Sequence, residues 1–150
     1  MAALLYPIHF SDFDGLVLWA CGGDGEFKRD GQLKCGVTRL TTIQKIQLPV
    51  IPTERRVKFA ILCAKKVCAD ARWNAWADRW LSGEDRSREA AESAWVAAES
   101  AMNRETEAAA EAALAAISKR EIRSARAAWS AVRLNGLGLD LIAIAEEACK

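Results

Sequence analysis

The sequence predicts a mainly α protein, a compact bundle of five or six helices from about residue 53 onward, behind an irregular or small α/β N-terminal segment. Three observations predict it. Apolar residues recur at helical spacing through residues 53–150. Alanine, which forms helices at no side-chain entropy cost, dominates there in EAAAEAALAAI and SARAAWSAV. Residues 1–52 are instead rich in Gly, Asp, Val, Thr and Ile, a turn and strand vocabulary. At 150 residues the chain has the length of a single domain, 1–150.

In the N-terminal segment, CGGDGEF and KRDGQLKCG cluster Gly and Asp as tight turns do. SDFD, from Ser11 to Asp14, reads as a capping box opening a helix through GLVLWAC. The same apolar run also reads as a strand, and periodicity does not separate the two. GVTRLTTIQKIQLPVIP is β-leaning, and a hairpin is compatible with the whole.

Beyond Pro52, Thr53 is a plain N-cap, and ERRVKFAILCAKKVCA is a helix with Phe59, Leu62, Cys63 and Val67 on one side. Asp70 caps the next helix, which Ser82-Gly83 ends. A third, from Asp85, places Ala91, Ala94, Trp95, Ala98 and Met102 inward. A fourth, NRETEAAAEAALAAI, turns Ala110, Leu114 and Ile117 inward, with Glu107 and Glu111 stacked on a solvated face. Ser118 and Glu121 form a capping box that starts or kinks a helix whose inner stripe is Ile122, Ala125, Trp129 and Val132, ended by Asn135-Gly136. LDLIAIAEEACK closes the chain with Leu141, Ile144 and Ala145 inside.

An alanine seam lets helices approach closely but buries little surface. A few large residues must supply the rest, and Trp73, Trp76, Trp80, Trp95 and Trp129 fit that need. Trp73, Trp76 and Trp80 recur every three or four residues, so they share one helix face and are expected in the core. The competing reading makes them, with Arg72 and Arg79, an exposed platform for stacked bases. Three rings facing solvent would leave that short helix without a docking face.

Composition excludes several classes. Net charge is +1, with no global attraction to nucleic acid or anionic membranes. No apolar run reaches the length of a membrane span, and the N-terminus has no basic region of a signal peptide. The five cysteines, 21, 35, 63, 68 and 149, fit no disulfide framework, which points to a reducing, cytoplasmic compartment.

No catalytic constellation emerges, so a non-enzymatic protein without cofactor or metal is expected. His9 is the single histidine, and nothing in its spacing selects a dyad with Cys21 or Cys35. Those three residues lack the close cysteine pair of a zinc site. CGGDGEF matches neither dinucleotide nor phosphate-loop patterns.

Charge is segregated. Glu84 to Glu111 holds eight acids and three arginines, whereas Lys119 to Arg133 holds five bases against Glu121. Lys28 to Lys66 holds ten bases against Asp30 and Glu54. One reading is intramolecular, an acidic helix beside a basic one. The other keeps a face for a partner, where charge gives steering and selectivity. Glu92, Glu99, Arg123, Arg126 and Arg133 are the candidate partner-binding residues. The alternative function is nucleic-acid binding through the basic segments 28–66 and 119–133. Alanine seams also suit a homodimer.

The stretch from FAILCAKKV through RWNAWADRWLSGEDRSREAAESAWVAAESA to AAAEAALAAI resembles alanine-rich helical phage and prophage proteins of the immunity type. In those, a Trp-Leu-x-Gly-like turn precedes a long alanine-rich run with periodic Trp or Tyr. Here Trp80, Leu81, Ser82 and Gly83 precede Ala90 to Ile117. The likeness covers about the middle half of the chain and brings no catalytic motif. It implies a small inhibitor or phage accessory protein that binds a larger host or toxin protein stoichiometrically, for instance blocking a defence factor such as a CRISPR effector.

Overall fold

Proline at 52 divides the strand-prone sequence from the helix-prone one, and the computed structural model divides at the same point. It describes residues 17–30, 34–47, 50–101, 103–118, 121–135 and 138–150. The chain splits into two units, one spanning Pro52–Lys150 and the other falling within His9–Ile51.

The smaller unit is a two-stranded antiparallel ribbon, β1 (Leu18–Asp30) paired with β2 (Lys34–Ile46). The β-leaning GVTRLTTIQKI forms β2, and the ambiguous apolar run enters β1 at Leu18. CGGDGEF, expected as a tight turn, lies instead inside β1. Its glycines serve a bulge. The register slips between Asp24 and Phe27, where Gly25 takes φ +86° and Glu26 N–H donates to Thr38 Oγ1 at 3.1 Å. A second slip, between Ala20 and Cys21, leaves Ile43 as the extra residue on β2. The SDFD box and His9 lie outside the described residues.

The larger unit contains α1 (Thr53–Lys65), α2 (Ala71–Ser82), α3 (Arg88–Ser100), α4 (Arg104–Ser118), α5 (Glu121–Asn135) and α6 (Leu141–Cys149). The mainly helical fold therefore stands. Pro52, with no side-chain cap, precedes α1, so Thr53 is its first residue rather than its cap. Asp70 caps α2 as expected, accepting Trp73 N–H at 2.8 Å, and Gly83 ends it at φ +82°. Ser87, two residues past the expected start, caps α3. Asn103 Oδ1 accepts Thr106 N–H at 2.8 Å at the head of α4. Ser118 ends α4 and Glu121 opens α5, so the two are separate helices.

Helix α1 packs against α2, α4, α5 and α6. Four neighbours explain why it buries Phe59 to Ala64 without a break, rather than the single stripe its periodicity predicts. Helix α4 packs against α1, α3 and α5, and there the expected inner stripe is wrong. Ala108, Ala109, Ala112, Ala113 and Ala115 are buried, while Ala110, Leu114 and Ile117 are half-buried. Close approach on three sides admits only methyl groups, so the larger side chains sit at the margin. In α5 likewise Ser124, Ala125, Ala127, Ala128, Ser130 and Ala131 are inside, Val132 is half-buried, and Trp129 is 39% exposed. In α3 the alanines 91, 94 and 98 are buried and Trp95 is half-buried. Met102 and the Ile122 side chain lie outside the described residues.

The tryptophans of α2 are core. Trp73, Trp76 and Trp80 are all buried, and the first two rings pack tilted with centroids 5.6 Å apart. Trp73 Nε1 donates to Ala109 O at 3.0 Å, tying α2 to α4. The exposed-platform reading of these rings therefore fails. Leu141, Ile144, Ala145 and Ala148 bury the inner face of α6, as expected for the first three.

Candidate interaction surfaces

Segregated charge in the sequence resolves first into ion pairs. The Glu111 side chain, expected on a solvated face, is only 13% exposed. Arg123 Nη1 donates to its two oxygens at 3.1 and 3.0 Å, and Arg126 Nε lies 3.4 Å from Oε1. An acidic helix thus lies beside a basic one, and two of the five candidate residues clasp one carboxylate across α4 and α5. Glu92 accepts from Arg88 Nε at 2.7 Å within α3. Arg133 stacks its guanidinium 4.6 Å from the Trp129 ring. The five candidates do not all share one set of contacts, although Arg123 and Glu99 line the same groove.

Glu99 is placed differently. It borders an open groove of about 560 Å³ between α3 and α4, over Trp95, Ala98, Ala110 and Leu114, with Glu107 on the same rim. Among the described residues, neither Glu99 nor Glu107 has an ion-pair partner. Half-buried Trp95 and Leu114 give the groove an apolar floor under a negative edge.

Of the ten bases of residues 28–66, five lie on β1 and β2 and five on α1 and its C-terminal turn. Helix burial acts on one of them: desolvation lowers the Arg56 guanidinium below its ordinary value. Cys63 is fully buried and its thiol is pushed upward by desolvation, which leaves it a small apolar core residue. All described cysteines are free, with Cys21 and Cys35 exposed on the ribbon. Among the described residues no group of three His, Cys, Asp or Glu could hold a metal ion, and no helix is long and apolar enough to cross a membrane.

The ribbon carries a surface that the charge pattern does not announce. No side chain described in β1 or β2 is buried. Trp19, Phe27, Leu40, Ile43 and Ile46 are 41–70% exposed. Opposed residues in an antiparallel pair share a face and successive ones alternate. Leu18 and Ile46 are opposed, so they face one side, while the opposed pair Trp19 and Lys45 faces the other. Leu40, opposite Gly23, shares the Trp19 side. Ile43 stands over Gly22 on the Leu18 side, with Cδ1 3.6 Å from where a methyl at that glycine would lie. Apolar side chains thus occupy both faces. Cations accompany them, with Arg29 5.7 Å from the Phe27 ring and Lys45 opposite Trp19. Arg39 is engaged across the strands by Asp24 at 2.6 Å.

A signal for this surface exists in the sequence. Val37, Leu40, Ile43 and Ile46 recur every three residues, a spacing that in a regular strand spreads them over both faces, although the bulge at Ile43 returns Ile43 and Ile46 to the same one. No family model matches the chain, and neither does any curated protein or solved structure.

Proposed function

We propose that this chain is a stoichiometric protein-binding module, an inhibitor or accessory protein acting on a larger protein in the manner its phage-protein resemblance implies. One observation carries the reading, a two-stranded ribbon without a buried side chain among those described that displays five large apolar residues. A lone two-stranded hairpin is marginal in water, and exposed contiguous apolar surface marks interaction sites. The acid-rimmed groove of α3 and α4 is a second contact surface, with Glu99 and Glu107 able to select a basic partner segment.

Nucleic-acid binding is the second reading, favoured by Lys28, Arg29 and Lys45 on a ribbon of the kind that fits a major groove. Two observations weigh against it. Glu111 engages Arg123 and Arg126, and the ribbon displays more large apolar side chains than unpaired cations. Affinity capture of the tagged chain from lysate of cells that express it, with and without nuclease, separates the two. A protein retained in stoichiometric amount after nuclease supports the first. Recovery of nucleic acid alone, with a steep loss of binding as salt rises, would replace it with the second.

A further inference from the structure

We infer that the ribbon binds by insertion, both faces covered, into an apolar cleft with a carboxylate-bearing rim on the partner protein. This rests on the protein-binding reading and says how the contact is made. Three observations carry it. First, apolar side chains lie on both faces, Leu18, Ile43 and Ile46 on one and Trp19 and Leu40 on the other. A partner laid against one face leaves the other set in water.

Second, area decides between one face and two. A strand of 13 residues is about 40 Å long, and a two-stranded ribbon about 10 Å wide, so one face offers about 400 Å². A stable interface takes about 800 Å² from each partner. One face supplies half of that and two faces supply it all. The same arithmetic disfavours a second copy stacked face to face, which would bury about 800 Å² in total, the scale of a lattice contact.

Third, charge specifies the rim. With Arg39 held by Asp24, the remaining described charges on the ribbon are Lys28, Arg29 and Lys45 against Glu26. The excess is positive and sits beside the aromatic rings, so the matching cleft carries carboxylates at its edge.

The test uses full-length chain with charge placed on one face at a time, Ile43→Asp with Ile46→Asp, and separately Trp19→Asp with Leu40→Asp. A third variant, Glu99→Lys with Glu107→Lys, leaves the ribbon intact. Each is used to capture protein from nuclease-treated lysate, and sedimentation at tens of micromolar reports self-association. The expected result is that wild type retains one protein at a 1:1 ratio and that each face variant loses it at least tenfold, with unchanged helical circular dichroism. Loss with one face variant only means docking on one face and overturns insertion. Retention by both, with loss in the groove variant, moves the site to α3 and α4 and overturns insertion while keeping the protein-binding reading. A wild-type dimer abolished by the face variants makes a second copy the occupant and overturns it too. No protein retained by wild type overturns both readings.

Discussion

Two tryptophans one helical turn apart offer a controlled measurement of what a buried hydrogen bond contributes. Trp73 and Trp76 are both buried, at 0% and 2% exposure, and their rings pack on each other. They differ at one atom. Trp73 Nε1 donates to Ala109 O at 3.0 Å, whereas Trp76 Nε1 has no acceptor among the described residues. Replacing either by Phe removes the outer edge of an indole, worth about 1.5 kcal/mol if taken as two buried methylenes. Trp73→Phe also loses a satisfied bond worth about 1 kcal/mol, for a total of about 2.5 kcal/mol. Trp76→Phe instead removes an unpaired buried donor, whose desolvation costs about 1–3 kcal/mol, so its net effect lies near zero. The expected gap is about 2.5 kcal/mol, roughly seventyfold in the folding equilibrium. Urea unfolding followed by far-ultraviolet circular dichroism measures it without relying on the altered fluorophore, provided the m-values agree. Equal destabilisation within about 0.5 kcal/mol, or a larger loss at Trp76, would refute the assignment of the bond.

Other perturbations follow from the same packing. Glu111→Gln should destabilise the bundle by about 1–2 kcal/mol, because a mostly covered carboxylate loses charge-assisted bonds from Arg123 and Arg126. A double-mutant cycle with Arg123→Gln in denaturant should show positive coupling, and additive effects would contradict the pairing. In native protein, Cys21 and Cys35 should react promptly with a thiol reagent, while Cys63 and Cys68 react only after unfolding. The raised Cys63 thiol fixes the sign at high pH: the unfolded state ionises first, so its contribution to stability is lost as pH rises above the ordinary thiol value. The Asp85 carboxyl is held below its ordinary value by the Ser87 hydroxyl and backbone N–H. Its contribution is present above the unfolded carboxyl value and lost as pH falls through the folded one, so Asp85→Asn should flatten the acid limb of stability against pH.

Helix existence was legible because caps and periodicity are local. Asp70 and Gly83 are set by neighbouring backbone groups, and the sequence shows those neighbours. Burial was less legible, because it depends on how many helices surround each one. Leu114 and Trp129 read as inward because they fall on apolar stripes at helical spacing and are large. Three neighbours around α4 gave the inside to alanine. Glu111 was misread for a related reason, as the arginines that cover it come from another helix. The ribbon shows the opposite difficulty. Val37, Leu40, Ile43 and Ile46 have a helix-like spacing of three in a segment whose β-branched residues favour a strand, and only pairing with β1 decides between them.

The alanine core and the exposed ribbon bear on function together. Helices separated by methyl groups pack closely, which stiffens the scaffold but leaves little room for an enclosed, apolar cavity of the sort that binds small molecules. The groove of α3 and α4 is open, and more than half of the described buried apolar residues are alanine. Recognition by such a bundle has to use what lies outside its core. Of the outward surfaces, helix faces with paired charges contribute little, because exposed ion pairs are worth about 0–1 kcal/mol and already satisfy each other. Binding energy comes instead from desolvating large apolar side chains, with aromatic anchors dominating. On this chain, those exposed together are Trp19, Phe27, Leu40, Ile43 and Ile46. On the proposed reading, charge placed on the ribbon should cost binding without costing helix content.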